Sequence, residues 1–283
     1  RGGYPDYYEK IKTYVTIISS PAVSVDKNVS ARSYKVSFDS DEESVFHYCD
    51  TNSTRAGIRN VSDKLMGQKV GIVGLGGTGS YILDLVSKNP VDEIHLFDND
   101  LFLQHNSFRA PGAARIDEIK QRLKKVEYLK RVYSNLHKGI VAHPYHVGPS
   151  NIGLLKELDF VFICIDKGNV KKLIIPELLD SNIPFVDVGM GVELVDDRLI
   201  GTIRVTTGTK NKNNHLSKRV SFEDGDDDDY NANLQIAELN ALNATLAVIK
   251  WKKIFHFYQD HELEHNSTYS VNVNMLLSED LEP

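Results

Sequence analysis

The stretch Lys69 to Arg109, KVGIVGLGGTGSYILDLVSKNPVDEIHLFDNDLFLQHNSFR, constrains this chain more than any other. Val70 to Val73 is a short β-branched run of the kind that forms a buried strand. Gly74, Gly76 and Gly79 follow as G-x-G-x-x-G, with Gly77 between them, and a helical pattern runs from Thr78 to about Lys88. A second strand, Glu93 to Phe97, ends in Asp98, nineteen residues after Gly79. Strand, glycine turn, helix, strand and acid in this order form a dinucleotide-type fingerprint. Glycines let backbone N–H groups approach a phosphate, the helix N-terminus adds partial positive charge, and the acid suits ribose hydroxyls.

The residues after Asp98 add a second layer. Asp98 and Asp100 form D-x-D, and Asn106 and Arg109 form N-x-x-R in a loop containing Gly and Pro. A guanidinium forks onto phosphate oxygens bidentately, so this pair suits a triphosphate. Here the chain resembles the ThiF/MoeB adenylation domains of the ubiquitin-activating-enzyme superfamily. That pattern reads G-x-G-x-x-G, D-x-D, N-x-x-R-Q, a Lys about one helix later, and an Asp ending the fourth strand. The chain supplies Gly74/Gly76/Gly79, Asp98/Asp100, Asn106/Arg109, Lys125 and Asp166, but has Ala110 where the Gln is expected. The resemblance spans roughly Tyr48 to Leu277 and points to a bacterial ubiquitin-like pathway.

The fold expected is α/β: a Rossmann-like, largely parallel sheet with helices on both faces, followed by C-terminal strands. Residues 1–61 read as an N-terminal arm or the end of an upstream domain, and 62–283 as the adenylation domain. Within the arm, YVTII from Tyr14 to Ile18 and SYKVSF read as strands, and DSDEE as a solvated loop. A single helix is expected from Ile116 to His137, with Leu123, Val126 and Leu129 on its apolar face and Lys124 and Lys125 at its middle. A third strand is expected over Val141 to Val147; on a strand, His143 and His146 lie on opposite faces and make a poor metal pair. DFVFICID, Asp159 to Asp166, reads as a strand buried on both faces with Asp166 at its end. A helix over Val170 to Asp180, a strand over Phe185 to Val188 and a turn at Gly189-Met-Gly191 follow. Residues 208–233 read as a mobile crossover loop, Gln235 to Phe257 as a long helix, and Tyr269 to Leu276 as the last strand.

Composition narrows the partners. A net charge of −6 over 283 residues argues against a general nucleic-acid binder. No apolar run approaches membrane-span length, and two cysteines cannot build a disulfide framework or a cysteine zinc site, so a cytoplasmic setting is expected. The chain opens at Arg1, which raises the prospect of a missing upstream domain.

The resemblance implies ATP and Mg²⁺ as the working ligands. Gly76, Gly79 and the residues around them would face ATP, Asp98 ribose, and Asn106, Arg109 and Lys125 (or Lys124, one register away) the phosphates. Asp166 would hold Mg²⁺. The substrate implied is the C-terminal carboxylate of a ubiquitin-like protein or peptide. In the family an Arg about twenty residues before the first strand reaches a partner subunit's ATP. Arg55 stands there, which implies a homodimer with a shared site. A buried-strand Cys164 and a loop Cys49 without basic neighbours are weak acyl acceptors, so the acyl group would pass to an upstream domain or a conjugating enzyme. Two other readings remain open: an ATP-silent scaffold subunit, and a nicotinamide-dependent oxidoreductase that would leave Asn106, Arg109, Lys125 and Asp166 unexplained.

Overall fold

A computed structural model describes residues 3–27, 29, 44–223 and 234–281. The chain divides into two compact units, Arg1–Asp39 and Ser40–Pro283. The first holds helix α1, Tyr7–Val25. The strand expected over Tyr14 to Ile18 is therefore helical. Asp6 caps the helix by accepting the Glu9 N–H at 2.8 Å, and Thr13, Thr16 and Ser20 hydroxyls donate to carbonyls four residues back. The Asp6-x-x-Glu9 cap signature outweighs the β-branched run. The SYKVSF strand and the DSDEE loop lie outside the described residues.

The second unit carries α2 (Thr51–Ala56), α3 (Arg59–Ser62), β1 (Lys69–Val73), α4 (Gly77–Val86), β2 (Glu93–Phe97), α5 (Gln104–Ser107), α6 (Ile116–Lys120) and α7 (Lys125–Tyr133). It continues through β3 (Ile140–His143), β4 (Phe160–Ile163), α8 (Gly168–Asp180), β5 (Phe185–Val195), β6 (Arg198–Gly208) and α9 (Leu216–Arg219). Helix α10 (Ala237–Ile254) and strands β7 (Asn266–Ser270) and β8 (Met275–Glu279) complete it. The eight strands form one sheet in the order β3-β2-β1-β4-β5-β6-β7-β8. The five from β3 to β5 run parallel, and the pairings from β5 to β8 are antiparallel. This is the Rossmann-like α/β sheet with C-terminal strands expected from the sequence.

Alternation sorts the side chains. Ile72, Leu96, Phe162 and Val186 point to one face, where α4, α7 and α10 cover them with Ile82, Leu129 and Trp251. Val73, Ile163 and Phe185 point to the other, under Ile174 and Leu178 of α8. Both faces of the parallel half are thus dry, which explains the unbroken apolar run of β4.

Several boundaries move. The single helix expected from Ile116 to His137 breaks into α6 and α7, with Arg122 at a φ of 51°. The cause is pairing with the segment after β2: the Phe102 N–H donates to Leu123 O and the Lys125 N–H to Asp100 O, both at 2.8 Å. Those bonds pull residues 121–124 out of helical register. The expected turn at Gly189 to Gly191 is strand; β5 runs on to Val195 and turns at Asp196-Asp197, whose φ values of 47° and 57° mark a two-residue hairpin loop of the type I′ kind. The last strand is likewise a hairpin of β7 and β8 reversing near Asn274. The third strand stops at His143, and Val147 packs into the α8 side. In the loop expected over 208–233, the described part is not all surface: Leu216 and Val220 are buried, and His215 Nε2 lies 3.0 Å from Thr207 O. The acidic residues from 224 onward lie outside the described residues.

Candidate functional site

The site forms where β1, β2 and β4 end, at the N-terminus of α4. Gly74 has a φ of +89°, and a Cβ there would stand 2.6 Å from Cys164 O, so glycine is required twice over. A Cβ on Gly79 would fall 2.0 Å from Gly74 O, which lets α4 start directly against the turn. Gly76 differs: its missing Cβ would meet only Gln235 Oε1, at 4.0 Å. A side chain there would meet almost no protein.

Asp98 ends β2 and is 6% exposed. Its Oδ2 accepts the Leu75 N–H and its Oδ1 the Asp100 N–H, both at 2.8 Å. The acid therefore braces the glycine turn, and each oxygen keeps a second lone pair for a ligand. Lys125 is buried at the first position of α7, with Nζ 2.7 Å from Asp100 Oδ2 and 3.5 Å from Asp98 Oδ2. The helix break puts it there. Lys124 turns away to donate to Asn99 O, so Lys125 is the lysine that faces the two acids. Burial works to raise the Asp100 carboxyl, but Lys125, helped by His146 and Lys167, holds it below its usual value.

Asn106 is buried and its Oδ1 accepts the Leu103 N–H at 2.8 Å, fixing the turn that carries Arg109. The Arg109 Nε is buried without a hydrogen-bond partner among the described residues. Burial pushes its guanidinium down from the ordinary value, while the neighbouring Asp166 carboxylate pulls it back up. A buried cationic donor lacking a partner is costly unless a ligand completes it. An anionic oxygen would do so. Asp166 itself is exposed beyond the end of β4. No group of three or more His, Cys, Asp or Glu side chains among the described residues is arranged to hold a metal. A magnesium ion here would rest on Asp166 together with phosphate oxygens, the donor set that ion commonly takes.

Helix α10 and the segment just before it contribute residues no local spacing could reveal. Gln235 Oε1 accepts from the Gly77 N–H at 3.4 Å, and Asn240 Oδ1 accepts from Thr78 Oγ1 at 2.8 Å. Asn240 is 1% exposed and its Nδ2 has no partner among the described residues.

Other candidates fall elsewhere. Cys164 sits behind the glycine turn, where burial, seconded by Asp187, drives its thiol far above the usual range. Cys49 and the α2 segment bearing Arg55 lie at the opposite, N-terminal end of the strands: Cys49 shares a cavity with Asn89 and Pro90, which precede β2, and Ser53 Oγ is 3.1 Å from Ser62 Oγ, ahead of β1. A five-residue strand is about 17 Å long, so neither residue reaches the glycine turn of its own subunit. His143 is held by His95 at 3.0 Å and Tyr145 at 2.8 Å and stacks on Phe97.

Comparisons with known proteins agree with this geometry. Residues 52–279 match the ThiF family, and residues 1–51 match a domain of unknown function, DUF6791. Among solved structures, E. coli MccB with ATP aligns at a TM-score of 0.64 and 18% identity, covering 81% of this chain and 71% of that one. E. coli MccB with MccA-N7isoASN gives 0.64 and 18%, covering 81% and 72%, and SeMet PaaA gives 0.65 and 17%, covering 96% and 86%. No curated protein matches the sequence. At these identities the solved structures share the fold. With the family match over most of its length, the chain belongs to the ThiF family.

Proposed function

We propose that this protein uses ATP to adenylate the C-terminal carboxylate of a ubiquitin-like protein or a short peptide. The observation that carries the reading is Arg109: a buried Nε without a partner, beside Asp166, at the open end of a glycine turn. ATP would lie with its phosphates over Gly76 and the α4 N-terminus, Arg109 and Lys125 flanking them and Asp98 near the ribose. The carboxylate oxygen attacks the α-phosphorus, forming the acyl–phosphate bond as the bond to pyrophosphate breaks. A carboxylate is already a nucleophile, so no general base is needed; positioning and charge neutralisation suffice. Magnesium, held by Asp166 and phosphate oxygens, would neutralise charge on the departing pyrophosphate. MccB structures contain the peptide MccA, which supports a peptide tail as substrate class.

The acyl group would then pass to a thiol outside this chain's own site, since the half-buried Cys164 thiol is held protonated by desolvation and Cys49 lies at the far end of the strands. A homodimer fits two further features. Arg55, too distant from its own glycine turn, would serve the partner's phosphates. On the distal sheet Leu194, Leu199 and Leu276, each exposed by 45% or more, share one face by strand alternation and form an apolar surface suited to a second copy.

The test is ATP–pyrophosphate exchange with a panel of glycine-terminated ubiquitin-like proteins and short peptides, each beside its C-terminally amidated form. Exchange should require the free carboxylate and vanish in folded Arg109→Ala. Full exchange in that variant, or exchange supported equally by amidated substrates, would sink the proposal.

A further inference from the structure

A second site lies at the N-terminal end of the strands, away from the glycine turn. A cavity of about 420 Å³ opens between the ends of α4 and α10, Leu136 beyond α7, and the Phe46–Ser53 segment. One wall is apolar, formed by Phe46, Ile58, Leu136, Pro90 and Phe257, and the rest of the lining is polar. Asn240, at the glycine turn, and Lys252, in this cavity, are twelve residues apart on α10, or about 18 Å at 1.5 Å per residue. The cavity is therefore separate from the glycine turn of its own subunit.

Its charged and titratable lining comprises Tyr48, Cys49, Asp50, Lys88 and Lys252. Most of this charge is already engaged. Asp50 Oδ1 accepts the Asn52 and Ser53 N–H groups at 2.9 and 3.0 Å, capping α2. Lys88 holds Asp84 at 2.6 Å. On the same helix as Lys252, Lys253 pairs with Asp260 and Glu264 at 3.1 and 2.9 Å. Lys252 stands apart: its ammonium lies 4.1 Å from the centre of the Phe257 ring, and burial alone lowers its pKa to about 8. No neighbouring charge contributes to that shift. A half-buried cation is thus set against an aromatic face, and cation–π attraction only partly replaces lost water.

We propose that this cavity binds a small monocarboxylate with an apolar body of aromatic size, its carboxylate against Lys252 and its body against Phe46, Leu136 and Phe257. One cation without a carboxylate partner matches one negative charge. A phosphate dianion would bring a second charge that no free cation in the lining answers, and a neutral ligand would leave Lys252 as it stands. The volume lies at the small end of ligand pockets, which run from about 300 to 1,000 Å³. Binding the carboxylate restores a full charge to Lys252. At pH 8, where about half of the amines are neutral, complex formation takes up about half a proton.

The probes are 4-phenylbutyrate and its neutral isostere 4-phenylbutanamide, titrated calorimetrically into the full chain at pH 8 in two buffers of different ionisation enthalpy. The acid should bind about tenfold or more tightly than the amide, as a charge-assisted contact requires. Lys252→Gln should bring the two ligands within about threefold and abolish proton uptake. Lys252→Arg should keep the preference for the acid but lose the uptake, because guanidinium does not titrate in this range. Cys49→Ser should keep both, which excludes the thiol as the proton acceptor. Equal affinity for acid and amide, uptake that survives in Lys252→Gln, or no binding of either probe at millimolar concentration to folded protein would each overturn the proposal.

Discussion

Asp187 offers the sharpest test of how the site is supported. It is fully buried at the level where β5 passes β4, with Lys171 of α8 2.8 Å from Oδ1 and Arg204 of β6 2.6 Å from Oδ2. Asp187→Asn keeps the shape and removes the charge. Arg204 retains Thr206 Oγ1 as an acceptor and keeps 17% of its side chain exposed, whereas Lys171 keeps 4%. Most of the cost therefore falls on Lys171. Losing one partner of a buried ion pair costs about 3–5 kcal/mol. Deprotonation caps the loss: a lysine with a pKa near 10.4 held neutral at pH 7.4 costs about 4 kcal/mol. Domains have about 5–15 kcal/mol in all. With a urea slope of about 2–3 kcal/mol per molar, the midpoint should drop by roughly 1–2 M. The escape route gives a second signature. If Lys171 in the variant sheds its proton on folding, the unfolded chain binds more protons, and the deficit shrinks as pH rises toward 10. A midpoint within about 0.3 M of wild type, or a deficit independent of pH, would refute this account of Asp187.

Four further outcomes can be checked. Gly76→Ala should melt within a degree or two of wild type yet bind ATP about tenfold or more weakly, because its methyl group meets little protein but enters the phosphate approach, whereas Gly79→Ala should not fold stably; calorimetry and thermal melts separate the two. Lys250 and Lys253 hold the Asp260 carboxyl down at about 2 against burial, so this acid adds stability above pH 4 that is lost as pH falls through 2; urea melts should find up to about 2 kcal/mol less pH dependence across that window in Asp260→Asn. A Cys49→Ala, Cys164→Ala double variant should still exchange pyrophosphate into ATP, and loss of exchange in folded protein would tie a thiol to adenylation itself. Arg55→Ala and Asp166→Ala, each inactive alone, should regain up to about half of wild-type activity when mixed under subunit exchange, since one site in each mixed dimer keeps both residues; confirmed mixed dimers without recovery would place Arg55 outside the partner's site.

How much was legible follows from how far each residue's partner lies along the chain. The glycine turn was readable because its requirement is local: Gly74 needs its φ of +89°, and Gly79 must clear Gly74 O five residues away. The order of β1, α4, β2 and Asp98 was readable for the same reason. Helical periodicity failed at Lys125, where the apolar spacing ran unbroken across a bend imposed by bonds to residues 100–102. That failure mattered, since the bend is what turns Lys125, and not Lys124, toward the acids. At Gly189 and Gly191 a local rule was applied where a distant contact decides: a Cβ on Gly189 would meet the Arg204 guanidinium at 2.9 Å, so that glycine serves packing across β5 and β6 and not a turn.

The polar residues that went unread share one property. Asp187 finds Lys171 and Arg204, sixteen residues before it and seventeen after, Thr78 finds Asn240, and Trp251 Nε1 finds Gln68 Oε1 at 3.1 Å. In sequence each looks like an ordinary polar residue in an amphipathic segment, and only the sheet order makes it half of a pair. The same holds for charge that stays unanswered. Lys252 follows Trp251 and precedes Lys253 and reads as part of a basic helix end. Trp251 is fully buried and Lys253 has two carboxylates, so the three neighbours meet three different environments. Arg109 and Lys252 are then alike in kind: cations placed where burial has removed water without supplying a full set of partners. One stands where the family fingerprint announces a triphosphate. The other stands at the opposite end of the strands, where no motif announces anything, and the same physical argument is what assigns it a ligand.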